Sequence, residues 1–111
     1  MFQLKTKIWV DALIRRAELG FASAYVIRRG DEDAGIVLVK VVDAARKARL
    51  YVPERDQNGK RVWRLHGAGT PAEAEIDAYC LKRTKSDGDL WLIEIEDRAG
   101  SHYLEESVVE S

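Results

Sequence analysis

The residues best suited to chemistry are two glutamates near the C-terminal end, Glu94 and Glu96, in the segment LWLIEIED. Their spacing places both side chains on one face of a strand, roughly 7 Å apart. Paired carboxylates at this separation can perform acid–base catalysis or hold a metal ion. A nuclease-type centre would need a lysine two residues further on. That position holds Arg98, which does not release its proton to act as a base.

Two interpretations of this pair therefore stay open. One is a small metal-assisted enzyme that uses Glu94 and Glu96. The other is a solvated strand face whose acids pair with basic side chains of neighbouring strands, namely Arg28, Lys40 or Arg49.

Thiol and imidazole side chains are few and scattered. Cys80, His66 and His102 do not lie at metal-ligand spacing. Cys80 falls on the apolar face of a predicted helix, which indicates a buried structural thiol. We therefore predict no metal, no cofactor and no catalytic residue, and the absence of a complete catalytic group argues against an enzyme.

The stretch RRGDEDAGIVLVKVV, residues 28–42, combines charged residues with glycines. Asp31, Asp33 and Gly35 are similar to part of a calcium loop, but Val42 stands where the closing glutamate belongs. No Gly-Lys-Ser/Thr follows, so a phosphate loop is excluded as well. The remaining interpretation is a hairpin loop in which the aspartates bond to their own backbone.

Basic and aromatic residues surround Asn58-Gly59, the strongest hairpin signal in the chain. The basic ones are Arg46, Lys47, Arg49, Arg55, Lys60, Arg61 and Arg64, with Tyr51 and Trp63 between them. Arginines neutralise phosphates and aromatic rings stack on bases, so nucleic-acid or phosphate binding through the hairpin arginines is one hypothesis. Against it, Trp63 shares a strand face with Leu65, as a core residue would, and the isoelectric point is about 6.1.

Charge is balanced overall but uneven along the chain. The 111 residues carry a net charge of −1, yet residues 1–66 hold 14 basic against 8 acidic residues and residues 67–111 hold 4 against 11. Such asymmetry indicates either a basic binding face or two halves of one fold that lie against each other. No apolar run approaches a membrane span and no signal-peptide core is present, so we predict a cytoplasmic protein without membrane contact.

Two helices follow from the apolar spacing. Trp9, Ala12 and Leu13 define the buried stripe of a helix over residues 7–19, with Gly20 as its end. The segment TPAEAEIDAYCLKRT predicts a second helix, with Thr70 as its N-cap, Pro71 in the first turn and Glu73 in a capping box.

Strand formers are concentrated in five segments, residues 23–29, 35–42, 48–54, 60–66 and 90–97, and residues 102–106 are a candidate sixth strand. Short connections favour antiparallel pairing. The predicted fold is α+β, with a curved, mainly antiparallel sheet of five or six strands and two helices packed on one face, in the order α-β-β-β-β-α-β-β. We predict one domain over residues 1–111, with a frayed tail from about residue 107.

Four segments together resemble a bacterial family, the domain-of-unknown-function family 1491. They are LKTKIWVDALIRRAE, RRGDEDAGIVLVKV, RVWR, and DLWLIEIEDRAG with the following HYLEE. The resemblance covers about residues 4–106. It implies a compact, stand-alone bacterial protein and supplies no activity, cofactor or catalytic residue.

The leading hypothesis is a non-catalytic module that binds a protein partner or forms a homo-oligomer, because no catalytic group is complete and the charge is asymmetric. An uncovered edge at RLYVPE or HYLEE would pair with a second copy. The alternatives are nucleic-acid or phosphate binding and the Glu94–Glu96 enzyme. The candidate binding residues are Arg28, Arg29, Lys40, Arg49, Arg61, Arg64, Glu94 and Glu96.

Overall fold

The computed structural model describes residues 4–110. Its helices are α1 (Thr6–Leu19) and α2 (Glu73–Ser86), with a 3₁₀-helix at His66–Gly69 ahead of α2. Its strands are β1 (Ser23–Arg28), β2 (Val37–Val42), β3 (Ala48–Arg55), β4 (Arg61–Leu65), β5 (Trp91–Glu96) and β6 (Val108–Glu110). The first five strands and α1 therefore lie where the apolar patterns predicted them.

The six strands form one open, mixed sheet in the order β1-β5-β2-β3-β4-β6. β5 runs antiparallel to β1 and parallel to β2, and β6 runs parallel to β4. The prediction of a mainly antiparallel sheet was wrong, because α2 returns the chain so that β5 enters between β1 and β2. For the same reason residues 29–36 are not the predicted hairpin loop, since they connect two strands that β5 separates.

The two helices lie on opposite faces of the sheet. Val37, Val39 and Val41 of β2 pack in one apolar cluster with α1, while Leu38 and Val42 pack in another with α2. The prediction that both helices share one face was wrong. All six residues of β2 are buried, as expected of a continuous apolar run that is covered on both sides.

The acidic loop fixes the start of α1. The backbone N–H groups of Thr6 and Lys7 donate to the carbonyl oxygens of Asp33 and Glu32, at 3.2 and 2.9 Å. These bonds satisfy donors at the helix start that have no partner within the helix. The carboxylate of Asp31 accepts from the backbone N–H of Ala34 at 2.8 Å, as the interpretation of a backbone-bonding turn requires.

Close backbone contacts account for Gly30 and Gly35. A Cβ atom on Gly30 would lie 2.1 Å from the carbonyl oxygen of Asp89, and one on Gly35 would lie 2.2 Å from the same atom. Both glycines thus let the acidic loop pass directly beside the turn that leads into β5.

The start of α2 differs from the prediction. The helix begins at Glu73, Ala72 is at the N-cap position, and no side chain caps it. Thr70 instead bonds back to the carbonyl of Gly67, from both its backbone N–H and its hydroxyl. A preceding 3₁₀ turn therefore uses the residue that the sequence pattern assigned to the cap.

The predicted pairing edges also differ. RLYVPE lies within β3, which β2 and β4 border on both sides, and residues 102–106 form no strand. Val108–Glu110 pair with β4 as β6, so part of the segment predicted to fray belongs to the sheet. Among the described residues, neither helix has the length and apolar character to cross a membrane.

Candidate functional site

β1 lies at one edge of the sheet, and none of the described strands pairs with its outer side. Tyr25, Val26 and Ile27 are 48%, 44% and 55% exposed, and the strand carries no charged residue before Arg28. Edge strands usually carry charges or prolines that discourage pairing with another chain. An exposed apolar edge of this kind is a ready surface for a further strand.

The two ends of β1 differ in chemistry. Phe21, just before the strand, is 98% exposed and has a backbone φ of 69°. That is the left-handed region, which is unfavourable for a bulky side chain. At the other end, Arg28 and Arg29 carry positive charge, so the edge runs from an exposed ring to a pair of cations.

A groove of about 390 Å³ lies beside this edge, between β1 and α2. Ile27, Arg28 and Leu81 form part of its walls, and Leu92 and Glu94 are among its other lining residues. The Nε atom of Arg28 is buried and has no hydrogen-bond partner among the described residues. The groove therefore continues the apolar surface of the edge, and Arg28 is one of its lining residues.

Lys40, in the middle of β2, is the centre of a cluster of charges under α2. Its Nζ lies 2.7 Å from Oε2 of Glu73, 2.7 Å from Oδ1 of Asp77 and 3.4 Å from Oε1 of Glu94. The lysine is 5% exposed. Three carboxylates thus compensate one buried ammonium group.

The surroundings of Lys40 keep it charged. Burial by itself would lower the pKa of the lysine, but hydrogen bonds to Asp77 and Glu73 and the negative charge of Glu94 outweigh it and hold the pKa above its ordinary value. A lysine that acts as a base or nucleophile needs a lowered pKa instead. Lys40 is therefore suited to hold α2 on the sheet and unsuited to catalysis.

Glu94 and Glu96 point to the α2 side of β5, and both contact basic side chains. Glu94 contacts Lys40, and Oε2 of Glu96 lies 3.7 Å from the guanidinium of Arg46. Within residues 4–110, no group of three or more His, Cys, Asp or Glu side chains is arranged to hold a metal ion. The geometry thus favours the ion-pair interpretation over a carboxylate pair that shares one substrate or metal.

Cys80 of α2 lies beside this cluster and is 3% exposed. Burial, followed by the nearby charge of Asp77, raises the pKa of its thiol to about 11. Because the thiolate is the reactive form, we expect a thiol reagent at pH 8 to label the native protein at least about 100-fold more slowly than the unfolded chain in urea. Measuring the labelling rate by mass spectrometry tests this; equal rates in both states would contradict it.

The other arginines predicted as binding residues are dispersed. Arg29 lies 2.8 Å from Glu32 and 5.4 Å from the ring centre of Trp91, on the side of the acidic loop. Arg49 is half-buried near the start of β3, beside the turn that contains Gly100. Neither of them reaches the Lys40 cluster by a described ion pair.

The two hairpin arginines lie on opposite faces of the sheet. Arg61 stacks near Trp9 of α1, with its guanidinium carbon 5.7 Å from the ring centre, whereas Arg64 forms a two-pronged ion pair with Glu54 on the α2 side. Trp63 is fully buried. These residues consequently do not form one surface that could follow a nucleic-acid strand.

Several residues of this region were not singled out from the sequence. They are Asp77 of the charge cluster and Tyr25, Ile27 and Leu81 beside the edge. Glu73 and Arg46 were noted only for other roles, as a capping-box residue and as one of the basic residues around the hairpin. Glu73 and Asp77 are four residues apart on one face of α2, which was a usable signal. Which face meets Lys40 depends on the packing of α2 across β2, and no local pattern carries that information.

The chain is similar to a protein family of unknown function and to solved structures from that family. Residues 4–105 match the family model DUF1491, a protein of unknown function. The crystal structure of a DUF1491 family protein from Caulobacter crescentus CB15 is 46% identical, with a TM-score of 0.90 over 96% of this chain and 100% of that one. An NMR structure of a DUF1491 family protein from the same organism gives 46% identity and a TM-score of 0.88, over 98% and 99% of the two chains.

A more distant relative has the same architecture. The solution structure of a protein from A. tumefaciens is 28% identical, with a TM-score of 0.80 over 99% of this chain and 98% of that one. No curated protein matches the chain significantly.

Proposed function

Because the chain belongs to the DUF1491 family, whose function is unknown, we propose its function from its own surface: it is a non-catalytic interaction module whose β1 edge pairs antiparallel with β1 of a second copy. The observation that carries this proposal is the exposed apolar edge formed by Tyr25, Val26 and Ile27. A bacterial cytoplasmic setting is part of the proposal, and it is supported by the bacterial sources of the structural relatives and by the single buried cysteine.

The edge has the features that permit strand addition. The register of β1 on β5 is regular from Ser23 to Val26 and becomes irregular between Val26 and Arg28. Four regular residues make a short pairing segment, and Ile27 and the groove beside it add apolar area on the α2 side. Main-chain hydrogen bonds would supply affinity and these side chains specificity.

The two different ends of β1 favour a second copy as the occupant. A two-fold axis near Tyr25 would bring Phe21 of each chain beside Arg28 and Arg29 of the other, so a guanidinium could stack on the exposed ring. The arginines of the two copies would stay roughly 20 Å apart, since Arg28 is three residues from the axis. The exposed ring at one end of the edge is therefore complementary to the guanidinium groups at the other end.

The charge cluster supports the non-catalytic part of the proposal. Lys40 and Glu94 are engaged with each other, and Glu73 and Asp77 complete the compensation. Residues in such a network hold their positions by mutual attraction and have little capacity left for proton transfer to a substrate.

Replacing Tyr25 with lysine tests the proposed pairing. We expect the wild-type chain to form dimers as its concentration rises, and Tyr25→Lys to raise the dimer dissociation constant at least about tenfold, because two lysines would face each other across the axis. Sedimentation velocity over a wide concentration range measures both values. Ile8→Lys is the matched control, since Ile8 is 51% exposed on α1, away from β1.

Two results would contradict this proposal. The first is a wild-type chain that stays monomeric up to millimolar concentration. Binding to an unrelated protein without self-association would count as this result. The second is a dimer that Tyr25→Lys and Ile8→Lys affect equally. Hydrogen exchange of the amides of Ser23–Val26 should also slow as the dimer forms.

A further inference from the structure

We propose that a pocket on the α1 side of the sheet, remote from the β1 edge, binds a phosphate group, either free or carried by a small molecule. It lies between the start of α1, the end of the acidic loop and the β3–β4 hairpin. Two overlapping cavities of about 220 and 460 Å³ share Thr6, Gly35, Arg55 and Arg61 as lining residues. Neither the comparisons nor the proposed self-pairing assigns a role to this pocket.

Two arginines face each other in the pocket. Arg55 of β3 and Arg61 of β4 are direct partners across the antiparallel pair, so their side chains project from the same face of the sheet. Both line both cavities. Like charges at directly opposite positions destabilise a strand pair. An anion between them would convert this repulsion into attraction.

Three carboxylates line the two cavities, and each of them already has another partner. Asp33 lies 3.7 Å from the ammonium of Lys5, and Glu54 is paired with Arg64. Glu106 accepts a hydrogen bond from the indole N–H of Trp63 at 2.9 Å. Among the side chains that the structure describes, no carboxylate forms an ion pair with Arg55 or Arg61. The neutral indole leaves the charge of Glu106 in place, so two arginines against one glutamate give the pocket a small excess of positive charge.

The pocket wall holds Arg61 in place. The rings of Trp9 and Trp63 are stacked with their centres 5.5 Å apart, and the guanidinium of Arg61 lies over Trp9. A stacked guanidinium keeps its N–H donors free at the edge of its plane, where they can bond two oxygens of one anion. The hydroxyl of Thr6 donates to the carbonyl of Gly35 at 3.0 Å, which ties the helix start to the loop at the pocket mouth.

A phosphate suits this geometry better than a carboxylate. Two guanidinium groups can both reach a dianion with three oxygens, and charge-assisted bonds of this kind are among the strongest that side chains form. Apolar lining from Val37 and Pro53 offers a surface for an organic group beside the phosphate. The larger cavity lies within the usual range for small-molecule sites, which is roughly 300–1,000 Å³.

Titration with three probes tests the proposal. We expect inorganic phosphate and AMP to shift the ¹⁵N resonances of Thr6, Gly35, Arg55 and Arg61 in a saturable way, and adenosine to leave them unchanged. Tighter binding of AMP would identify a phosphate ester as the natural form, whereas equal affinities would identify free phosphate. Both outcomes support a phosphate site, and they separate its two sources.

Single-charge variants complete the test. Arg61→Gln should weaken phosphate binding at least about tenfold. Arg55→Gln should weaken it similarly. It should not lower the melting temperature without phosphate, because the removal of a like-charge contact offsets the loss of the exposed hydrogen bond that Arg55 donates to the carbonyl of Gly59. Arg98→Gln is the control with the same charge change, and it lies in the turn after β5, at the opposite end of the sheet.

The proposal is overturned if neither phosphate probe saturates below about 20 mM. It is also overturned if Arg61→Gln and Arg98→Gln reduce the affinity equally, since the effect would then reflect net charge alone. Folding of each variant is checked by its ¹⁵N spectrum before titration, so a misfolded protein cannot be mistaken for a loss of binding.

Discussion

Replacing Lys40 with methionine is expected to lower the free energy of unfolding by about 3 kcal/mol at pH 7, as when one member of a buried ion cluster is removed. Methionine retains most of the side-chain length but leaves Glu73, Asp77 and Glu94 without their shared cation. Urea unfolding followed by circular dichroism gives the value. Lys47→Met, at an exposed position, should change the free energy by less than about 0.5 kcal/mol.

A second substitution separates lost charge compensation from lost packing. Glu94 is the most buried of the three acids, with 19% of its side chain exposed, so Glu94→Gln added to Lys40→Met should recover part of the loss. No recovery would indicate that packing causes the effect.

The stability that Lys40 provides should also depend on pH. Because its pKa is raised in the folded state, this contribution is complete below the ordinary lysine value of about 10.4 and is lost as pH rises through the folded-state pKa. The gap between wild type and Lys40→Met should therefore stay constant around neutrality and narrow only under strongly alkaline conditions. A gap that closes near pH 7 would contradict this assignment.

Replacing Asp97 with alanine is expected to cost about 3 kcal/mol, because its carboxylate organises the turn after β5. Oδ1 accepts from the hydroxyl of Tyr103 at 2.7 Å, and Oδ2 accepts from the backbone N–H groups of Ser101 and Ala99 at 2.8 and 3.1 Å. Asp97 is only 9% exposed, so water would not fully replace these hydrogen bonds after the substitution. Urea unfolding at pH 7 measures the loss, with Asp89→Ala, at an exposed position, as the control.

Acid should reproduce this loss in the wild-type protein. The hydroxyl of Tyr103, and then the N–H of Ser101, hold the pKa of Asp97 below its ordinary value. A group with a lowered folded-state pKa stabilises the protein above its unfolded value of about 3.9, and this stabilisation is lost as pH falls further. The difference between wild type and Asp97→Ala should therefore shrink below about pH 4. An unchanged difference at pH 2 would rule out the charged form as its source.

Local patterns were sufficient to locate most of the elements. The segment LWLIEIED predicted β5 and a shared face for Glu94 and Glu96, and Lys40 was among their predicted partners. Asn58-Gly59 correctly marked the β3–β4 hairpin. Such signals depend only on the backbone period and on turn conformations, which neighbouring residues determine.

The arrangement of those elements was beyond local reasoning. The continuous apolar run of β2 is typical of a strand that is covered on both faces. It does not show which element covers which face, so the placement of α1 and α2 on opposite faces was not predicted. The insertion of β5 between β1 and β2 is a long-range choice, which the preference for short antiparallel connections opposed. The Lys40 cluster depends on both arrangements, because its acids come from α2 and β5.

The pocket arginines illustrate the same limit on a smaller scale. Arg55 and Arg61 were seen as part of a basic hairpin, but their direct pairing required the register of β3 and β4. A two-residue turn at Asn58-Gly59 would have implied a different register from the observed one, in which the backbone N–H of Asp56 bonds to the carbonyl of Lys60. Arg61 and Arg64 lie three residues apart on β4. Successive side chains of a strand point to opposite faces, so these two arginines lie on different sides of the sheet.

The central place of β5 has a consequence for the order in which the chain acquires its structure on the ribosome. β1 and β2 are both made well before Trp91. β2 can pair with β3 as soon as that strand is made, but β1 has to wait for β5. Synthesis proceeds from the N-terminus at roughly 5–20 residues per second, so β1 is exposed for several seconds without a strand beside it. We expect nascent chains that end before residue 90 to be sensitive to protease and those that include β5 to become resistant.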